Sequence, residues 1–251
     1  MRCTPDMINR YAVSPTLFKQ EPDMAQAKSA LIIGASRGLG LGLVQQLHAD
    51  GWQVTASVRS QAGVDALQAL PGVKIEQLDI NDGAQVSALQ QRLQGQTFDL
   101  LFINAGVAGP SHQSVEEATV EELGQLFMTN AIAPIRLAQR LVAQVKKPNG
   151  VLAFMSSVLG SVAIAEGNTM PLYKASKAAL NSMTNSFVCE LEDSGLTVLS
   201  LHPGWVKTDM GGEGAPLDIQ TSCKGLVAQI NAQAGKGGHR FIDYQGQGIP
   251  W

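Results

Sequence analysis

The sequence predicts an α/β protein, a single doubly wound parallel sheet with helices on both faces. Two observations lead there. Short apolar runs alternate with stretches of helical period from Ser29 onward, and strands of that apolar kind between amphipathic helices must be buried on both sides. No linker, internal repeat or low-complexity segment interrupts the alternation, so residues 29–251 read as one domain.

The elements follow in order. "SALIIG" is a first strand, and Leu39 to Ala49 keeps a helical period. "WQVTASV" is a second strand, and Val64 to Leu70 a short helix closed by Pro71-Gly72. "VKIEQLDI" is a third, after which Asp82 caps a helix running to Leu93. "DLLFINAG" is a fourth strand, stopping like the first at glycine. A long helix is expected from Glu117 to Val145, ending before Pro148-Asn149-Gly150. "VLAFMSS", a helix from Leu172 to Leu191, "LTVLSLHPG", a helix from Thr221 to Ala234 and "HRFIDY" complete the pattern.

With 251 residues, 45% hydrophobic, the chain can bury a full core without staples. A net charge of −3 without a basic block offers nothing to nucleic acid. The three cysteines, Cys3, Cys189 and Cys223, are too dispersed for a disulfide framework or a metal site. They fit a reducing, cytoplasmic compartment. No apolar run approaches the ~18–20 residues of a membrane span. Residues 1–28, with three prolines and mixed charges, read as a flexible leader, the alternative being an arm docked on the domain or on a partner subunit.

Between the first strand and helix lies "GASRGLG". Gly34, Gly38 and Gly40 allow a tight turn at a helix N-terminus, where a pyrophosphate is held by backbone N–H groups. A ribose 2′-hydroxyl would call for an acid after the second strand, but "TASVRS" offers Arg59 instead, and Arg37 lies in the turn itself. A guanidinium forks onto phosphate, so NADP(H) is expected over NAD(H), unless both arginines are merely solvated. Farther on, Tyr173 and Lys177 stand at i and i+4 of one helix, neighbours on its surface. In "MTNAIAPIR", Pro134 lacks an N–H, which leaves the Asn130 carbonyl without its helical partner and predicts a kink.

"GASRGLG", "INAG" (103–106), Ser157, "YKASK" (173–177) and "HPGWVKTDM" (202–210) together resemble the short-chain dehydrogenase/reductase family. Within it, "SSVLGS", "YKASKAALN", "LHPGWVKTDMGG", "APLD" and the terminal Trp251 are similar to sniffer-type carbonyl reductases and C-factor-like proteins. The resemblance implies a Rossmann-type fold and a catalytic set of Ser157, Tyr173, Lys177 and Asn130. It implies cofactor contacts from Gly34, Ser36, Arg37, Gly38, Leu39, Gly40, Arg59, Asp79, Ile80, Asn104, Ala105, Gly106, Tyr173, Lys177, Pro203, Gly204, Val206 and Thr208. Asn130 would anchor a water relay to Lys177, and Lys177 would hold the nicotinamide ribose.

The chemistry is consistent with that set. Hydride reduction of a carbonyl puts negative charge on its oxygen, which needs a proton donor. Lys177 is expected to lower the pKa of Tyr173 and make it that donor. Ser157 would hydrogen-bond the substrate oxygen, with Ser156 on the opposite face of the strand. The gap from Ser157 to Tyr173 is longer than the family's usual spacing, and its extra residues, in "AIAEGNTMP", should shape the substrate mouth. The expected activity is NADPH-dependent reduction of a ketone or aldehyde; the rival is an NADP(H)-binding sensor with little turnover. A homodimer or homotetramer is implied by analogy only.

Overall fold

The computed structural model describes residues 27–164, 169–191 and 195–251. Nearly all of the expected leader, and residues 165–168 of the expected substrate-mouth loop, lie outside the described residues.

Among the described residues, seven strands form one sheet in the order β3-β2-β1-β4-β5-β6-β7. They are β1 (Ser29–Ile33), β2 (Gln53–Val58), β3 (Lys74–Gln77), β4 (Leu100–Ile103), β5 (Val151–Met155), β6 (Thr197–His202) and β7 (Gly238–Asp243). Every pairing is parallel. The helices are α1 (Gly38–Ala49), α2 (Gln61–Gln68), α3 (Gly83–Arg92), α4 (Val120–Phe127), α5 (Ala133–Leu141), α6 (Pro171–Glu190) and α7 (Ile219–Gln233). This is the doubly wound parallel sheet expected from the sequence.

Alternate residues of each strand enter opposite cores. In β1, Ala30 and Ile32 pack with Leu43, Val44 and Leu47 of α1 and Leu226, Val227 and Ile230 of α7. Leu31 and Ile33 face the other side, with Val86 and Leu89 of α3, Leu137 and Leu141 of α5, and Leu180 and Phe187 of α6. The chain winds outward from β1 to β3, then crosses back to place β4 on the other side of β1. Such a reversal opens a crevice beyond the carboxyl ends of the two strands, where ligands of open α/β sheets bind.

The main departures from the sequence expectation lie in the long helix and the third strand. The long helix predicted over Glu117–Val145 starts later, at Val120, where Thr119 and Glu122 form a capping box. It is then interrupted by a π-helical turn, Met128–Ile132, before α5. The N–H of Ala133 reaches back five residues to the Met128 carbonyl, and Pro134 sits in the first turn of α5. The predicted kink therefore takes the form of a widened, underwound turn that spares the ladder a clash with the proline ring. The third strand is also shorter than "VKIEQLDI": after Leu78 donates to the Val58 carbonyl, the chain leaves the sheet for the Asp82 cap of α3.

The C-terminal tail folds back along β7. Ile249 donates to the Phe241 carbonyl, and the Trp251 ring stacks on Phe241 at 5.2 Å. The Trp251 carbonyl accepts from the N–H of Ala163, which ties the tail to the segment beyond Ser157. Among the described residues, no helix is long and apolar enough to cross a membrane.

Candidate active site

The glycine turn after β1 is built to be close. Gly34 has φ +87°, and a Cβ there would stand 2.9 Å from the backbone of Ala105. A side chain at Gly40 would collide with the Gly34 carbonyl and meet the Asn104 amide at 2.6 Å. Asn104 Nδ2 donates to that carbonyl at 2.7 Å, pinning the turn to the end of β4. Gly38, with φ +55°, opens α1, whose N-cap, Arg37, makes no side-chain cap and whose first turn holds no acid. The leading N–H groups of α1 are thus uncommitted to a side chain and carry the positive end of the helix dipole. That is a fit for the diphosphate of a dinucleotide.

The adenosine side is set by β2. Ser36 Oγ accepts from the backbone N–H of Arg59 at 3.4 Å, so the turn and the end of β2 are held together. No carboxylate occurs between Thr55 and Ser60, and the Arg59 guanidinium makes no ion pair among the described residues. It lines a cleft of about 480 Å³ with Gln77, Asp79, Gln85, Ala88 and Arg92. Asp79 is thereby placed at the cleft, its carboxylate taken by the N–H of Asn81 at 2.9 Å. Ile80 is buried in the core cluster that holds Leu78 and Val86. Arg37, the second expected phosphate ligand, is paired instead with Asp209 at 2.6 Å, both side chains exposed. That pair spans the glycine turn and the loop after β6. Leu39 is partly buried against the core of that face, and its carbonyl faces the Cys223 thiol at 3.5 Å.

Of the expected cofactor contacts in the loop after β6, Pro203, Gly204, Val206 and Thr208, the threonine comes against the glycine turn. Gly204 is left-handed, with φ +84°, and packs on Leu217 and Tyr244. Val206 bridges Leu217, and Thr208 Oγ1 accepts from the N–H of Gly211 at 3.0 Å. Gly38 and Thr208 approach closely enough that a Cβ on the glycine would touch the threonine methyl at 3.7 Å. His202, preceding this loop, has a buried Nδ1 without a hydrogen-bond partner among the described residues, and burial pulls its pKa down to about 4 against the opposing charge of Asp243.

Tyr173 and Lys177 are both buried, 8% and 3% exposed. Ser157 follows β5, and its hydroxyl neighbours the Tyr173 phenol and eases that phenol's pKa downward. Ser157 Oγ also accepts from the N–H of Leu159, which starts the short 3₁₀ turn Val158–Gly160. Ser156 points the other way and donates to Asn181 Oδ1 at 2.7 Å. Gly160 is a residue that sequence reasoning passed over. A Cβ there would lie 2.9 Å from the backbone of Lys177, so only glycine lets the turn carrying Ser157 settle against α6. Its signal was the glycine inside "SSVLGS".

Lys177 Nζ donates to the Met155 carbonyl at 2.8 Å and lies 5.8 Å from the centroid of the Tyr173 ring. At Gly106, a Cβ would come 3.5 Å from that Nζ and 3.3 Å from Asn130 Oδ1, which makes the end of β4 the link between the lysine and the crevice. The Asn130 side chain does not reach the lysine. Its amide clasps Val107, accepting from the N–H and donating to the carbonyl at 2.8 Å each, and donates to Ser176 Oγ at 3.0 Å.

One expectation is corrected. Lys177 does not depress the Tyr173 phenol in the protein alone. Burial pushes that phenol up to about 12, opposed only by the neighbouring Ser157 hydroxyl. Burial also pulls Lys177 down to about 8. The reason is that both groups lose water, and this penalises each charged form more than the separated lysine repays.

A glycine-rich turn at the strand reversal of a parallel sheet, with a serine, a tyrosine and a lysine buried near the end of β5, is the arrangement of a Rossmann-class protein. The sequence profile of the family described as short chain dehydrogenase matches residues 28–216, and the chain belongs to that family. Solved structures agree. A carbonyl reductase from Pseudomonas aeruginosa PAO1 in complex with NADP is 43% identical, covering 90% of this chain and 100% of its own, with a TM-score of 0.83. The carbonyl reductase Sniffer of D. melanogaster is 32% identical, covering 90% of this chain and 100% of its own, with a TM-score of 0.77. The C-signal of Myxococcus xanthus is 34% identical over 156 residues, 61% of this chain and 92% of that protein.

Proposed function

We propose that this protein is an NADPH-dependent oxidoreductase that reduces a ketone or aldehyde. The observation that carries the reading is the joint burial of Ser157, Tyr173 and Lys177, the tyrosine and lysine one turn apart on α6 and the lysine tied to the end of β5. A protein that only sensed nucleotide occupancy would have no use for a proton donor enclosed in this way.

The bound cofactor would supply the hydride. The remaining work falls to the chain. Ser157 holds the substrate's carbonyl oxygen, and Tyr173 gives that oxygen a proton as its negative charge develops. A phenol held near 12 is fully protonated at neutral pH and still far more acidic than an alcohol, so it is ready to donate in the direction of reduction. Lys177, mostly an ammonium at pH 7, holds the nicotinamide ribose and lies on the path by which Tyr173 regains its proton. The Asn130 carbonyl, deprived of an N–H by Pro134, anchors the water at the outer end of that path. Arg59 takes the 2′-phosphate and the N-terminus of α1 the diphosphate. Support for NADP comes from the free guanidinium at β2 and from the NADP-bound relatives.

The test is turnover of NADPH with a panel of aliphatic and aromatic aldehydes, ketones and quinones, for the parent protein and for Tyr173→Phe. Turnover should fall by at least about a thousandfold in the variant, with NADPH binding retained. Equal rates would remove Tyr173 from the chemistry, and binding of NADPH without turnover of any carbonyl would favour the sensor.

A further inference from the structure

Among the described residues, two that are not glycine have a positive φ, Gln113 at 51° and Met170 at 56°. Neither side chain is suited to that conformation, which costs free energy and persists where the surroundings enforce it. Both converge on the same point, the N-terminus of α6. Met170 is the residue preceding the helix, and it offers no side-chain cap. The helix then begins Pro171, Leu172, Tyr173, so the active-site tyrosine sits at the third position. Its N–H is one of those that helix geometry leaves without a partner. A serine, threonine or aspartate at the cap position normally satisfies that N–H, and Met170 cannot.

Gln113 does so from 60 residues away. Its Oε1 accepts from the N–H of Tyr173 at 3.0 Å. Its Nε2 donates to the carbonyls of Ala108 and Pro110, at 2.9 and 2.8 Å. The two ends of the amide cannot be exchanged, because a flip would set N–H against N–H and oxygen against two carbonyls. The carbonyl of Tyr173 is held from the same side. It accepts from Ser176 Oγ at 2.7 Å, which accepts in turn from Asn130, whose amide clasps Val107. The loop leaving β4, from Val107 to Gln113, thus grips the Tyr173 peptide at both ends. It begins at Asn104–Gly106, which line the crevice.

We propose that Gln113 is a positioning residue for Tyr173, a helix cap supplied from the β4–α4 loop that fixes the phenol relative to Ser157 and the crevice. The inference rests on the functional reading above. Gln113 touches no reacting atom; it acts through the tyrosine's backbone. A displacement of about 1 Å at a proton donor is enough to cost one to two orders of magnitude in rate.

Two variants of the full chain test this. Gln113→Gly removes the amide while suiting the left-handed backbone, so it adds no strain. Gln113→Met keeps the volume and the strain but loses the hydrogen bonds. Both are read in two ways. Amide hydrogen exchange, followed by mass spectrometry of peptides spanning Tyr173, should show its N–H exchanging at least about tenfold faster in each variant. Steady-state reduction of 4-nitrobenzaldehyde, and of the best substrate of the panel above, should show kcat lower by about tenfold, with KM and the NADPH Kd within about twofold. Unchanged exchange in both variants would overturn the cap. Faster exchange with unchanged kcat would overturn positioning, and a rise in KM alone would make Gln113 a wall of the substrate mouth. If the parent turns over no carbonyl, the functional reading fails and positioning with it, while the exchange measurement still decides whether the cap exists.

Discussion

Replacing Lys177 with methionine should remove activity and yet not destabilise the protein at neutral pH. Burial lowers this lysine from 10.5 to about 8. Each pKa unit corresponds to about 1.4 kcal/mol, so holding the ammonium in the folded state at pH 7 costs about 3 kcal/mol. Methionine has a similar length and no charge. What it forfeits is the bond from Nζ to the Met155 carbonyl, and leaving that acceptor unpaired costs about 1–3 kcal/mol. The two nearly cancel at pH 7, leaving the variant between equal in stability and about 2 kcal/mol more stable.

The pH dependence makes the argument specific. The folded pKa of Lys177 is depressed, so between about pH 8 and 10.5 the unfolded chain holds a proton that the folded chain has released. Stability of the parent therefore rises with pH through this window, relative to a variant with no group titrating there. From pH 7 to pH 10 the difference should move by about 2.5 kcal/mol in the parent's favour. Tyr173, pushed up to about 12, destabilises the fold above pH 10 in both proteins alike and drops out of the comparison. Urea unfolding of the parent and of Lys177→Met, without NADP(H), at pH 7 and pH 10 measures this. A difference that stays constant with pH would show that the ammonium keeps its water, and the argument from burial would collapse.

Two further outcomes follow from the nucleotide side. Arg59→Ala should weaken NADPH binding by about ten- to a hundredfold while leaving NADH within about twofold, because a charge-assisted fork onto phosphate is lost; Arg37→Ala, its guanidinium turned toward Asp209, should shift the preference far less. Fluorescence titration with both nucleotides reads this, and equal losses for NADPH and NADH at Arg59 would refute the assignment. Gly40→Ala should unfold the turn or forfeit nucleotide binding, since its methyl would overlap the Gly34 carbonyl, whereas Gly83→Ala, where a Cβ meets nothing within 4 Å, should be silent in both melting and binding.

Much of this was legible in the sequence because it is carried by local pattern. The alternation of apolar runs and helical periods gave the sheet. "GASRGLG" and "YKASK" pointed to the two ends of the site, because a glycine turn and an i, i+4 pair are complete within a few residues. The π-helical turn at Met128–Ile132 was half visible: Pro134 announces a lost hydrogen bond but not how the ladder closes over it. The sign of the Tyr173 shift was not legible at all. Proximity to Lys177 is a matter of spacing, but burial is a property of everything packed around the pair, and burial prevails.

Gln113 marks where reading along the chain stops. Nothing in "GPSHQSVEE" distinguishes that glutamine from its polar neighbours. Its role arises because Met170 cannot cap α6, and a missing cap is an absence that no sequence pattern reports. The N–H of Tyr173 has to be satisfied by something, and the fold brings a residue 60 positions upstream within 3.0 Å to do it. An unpaired backbone donor at a helix start therefore demands a partner that no motif names, and here it does so at the helix whose placement the proposed chemistry depends on most.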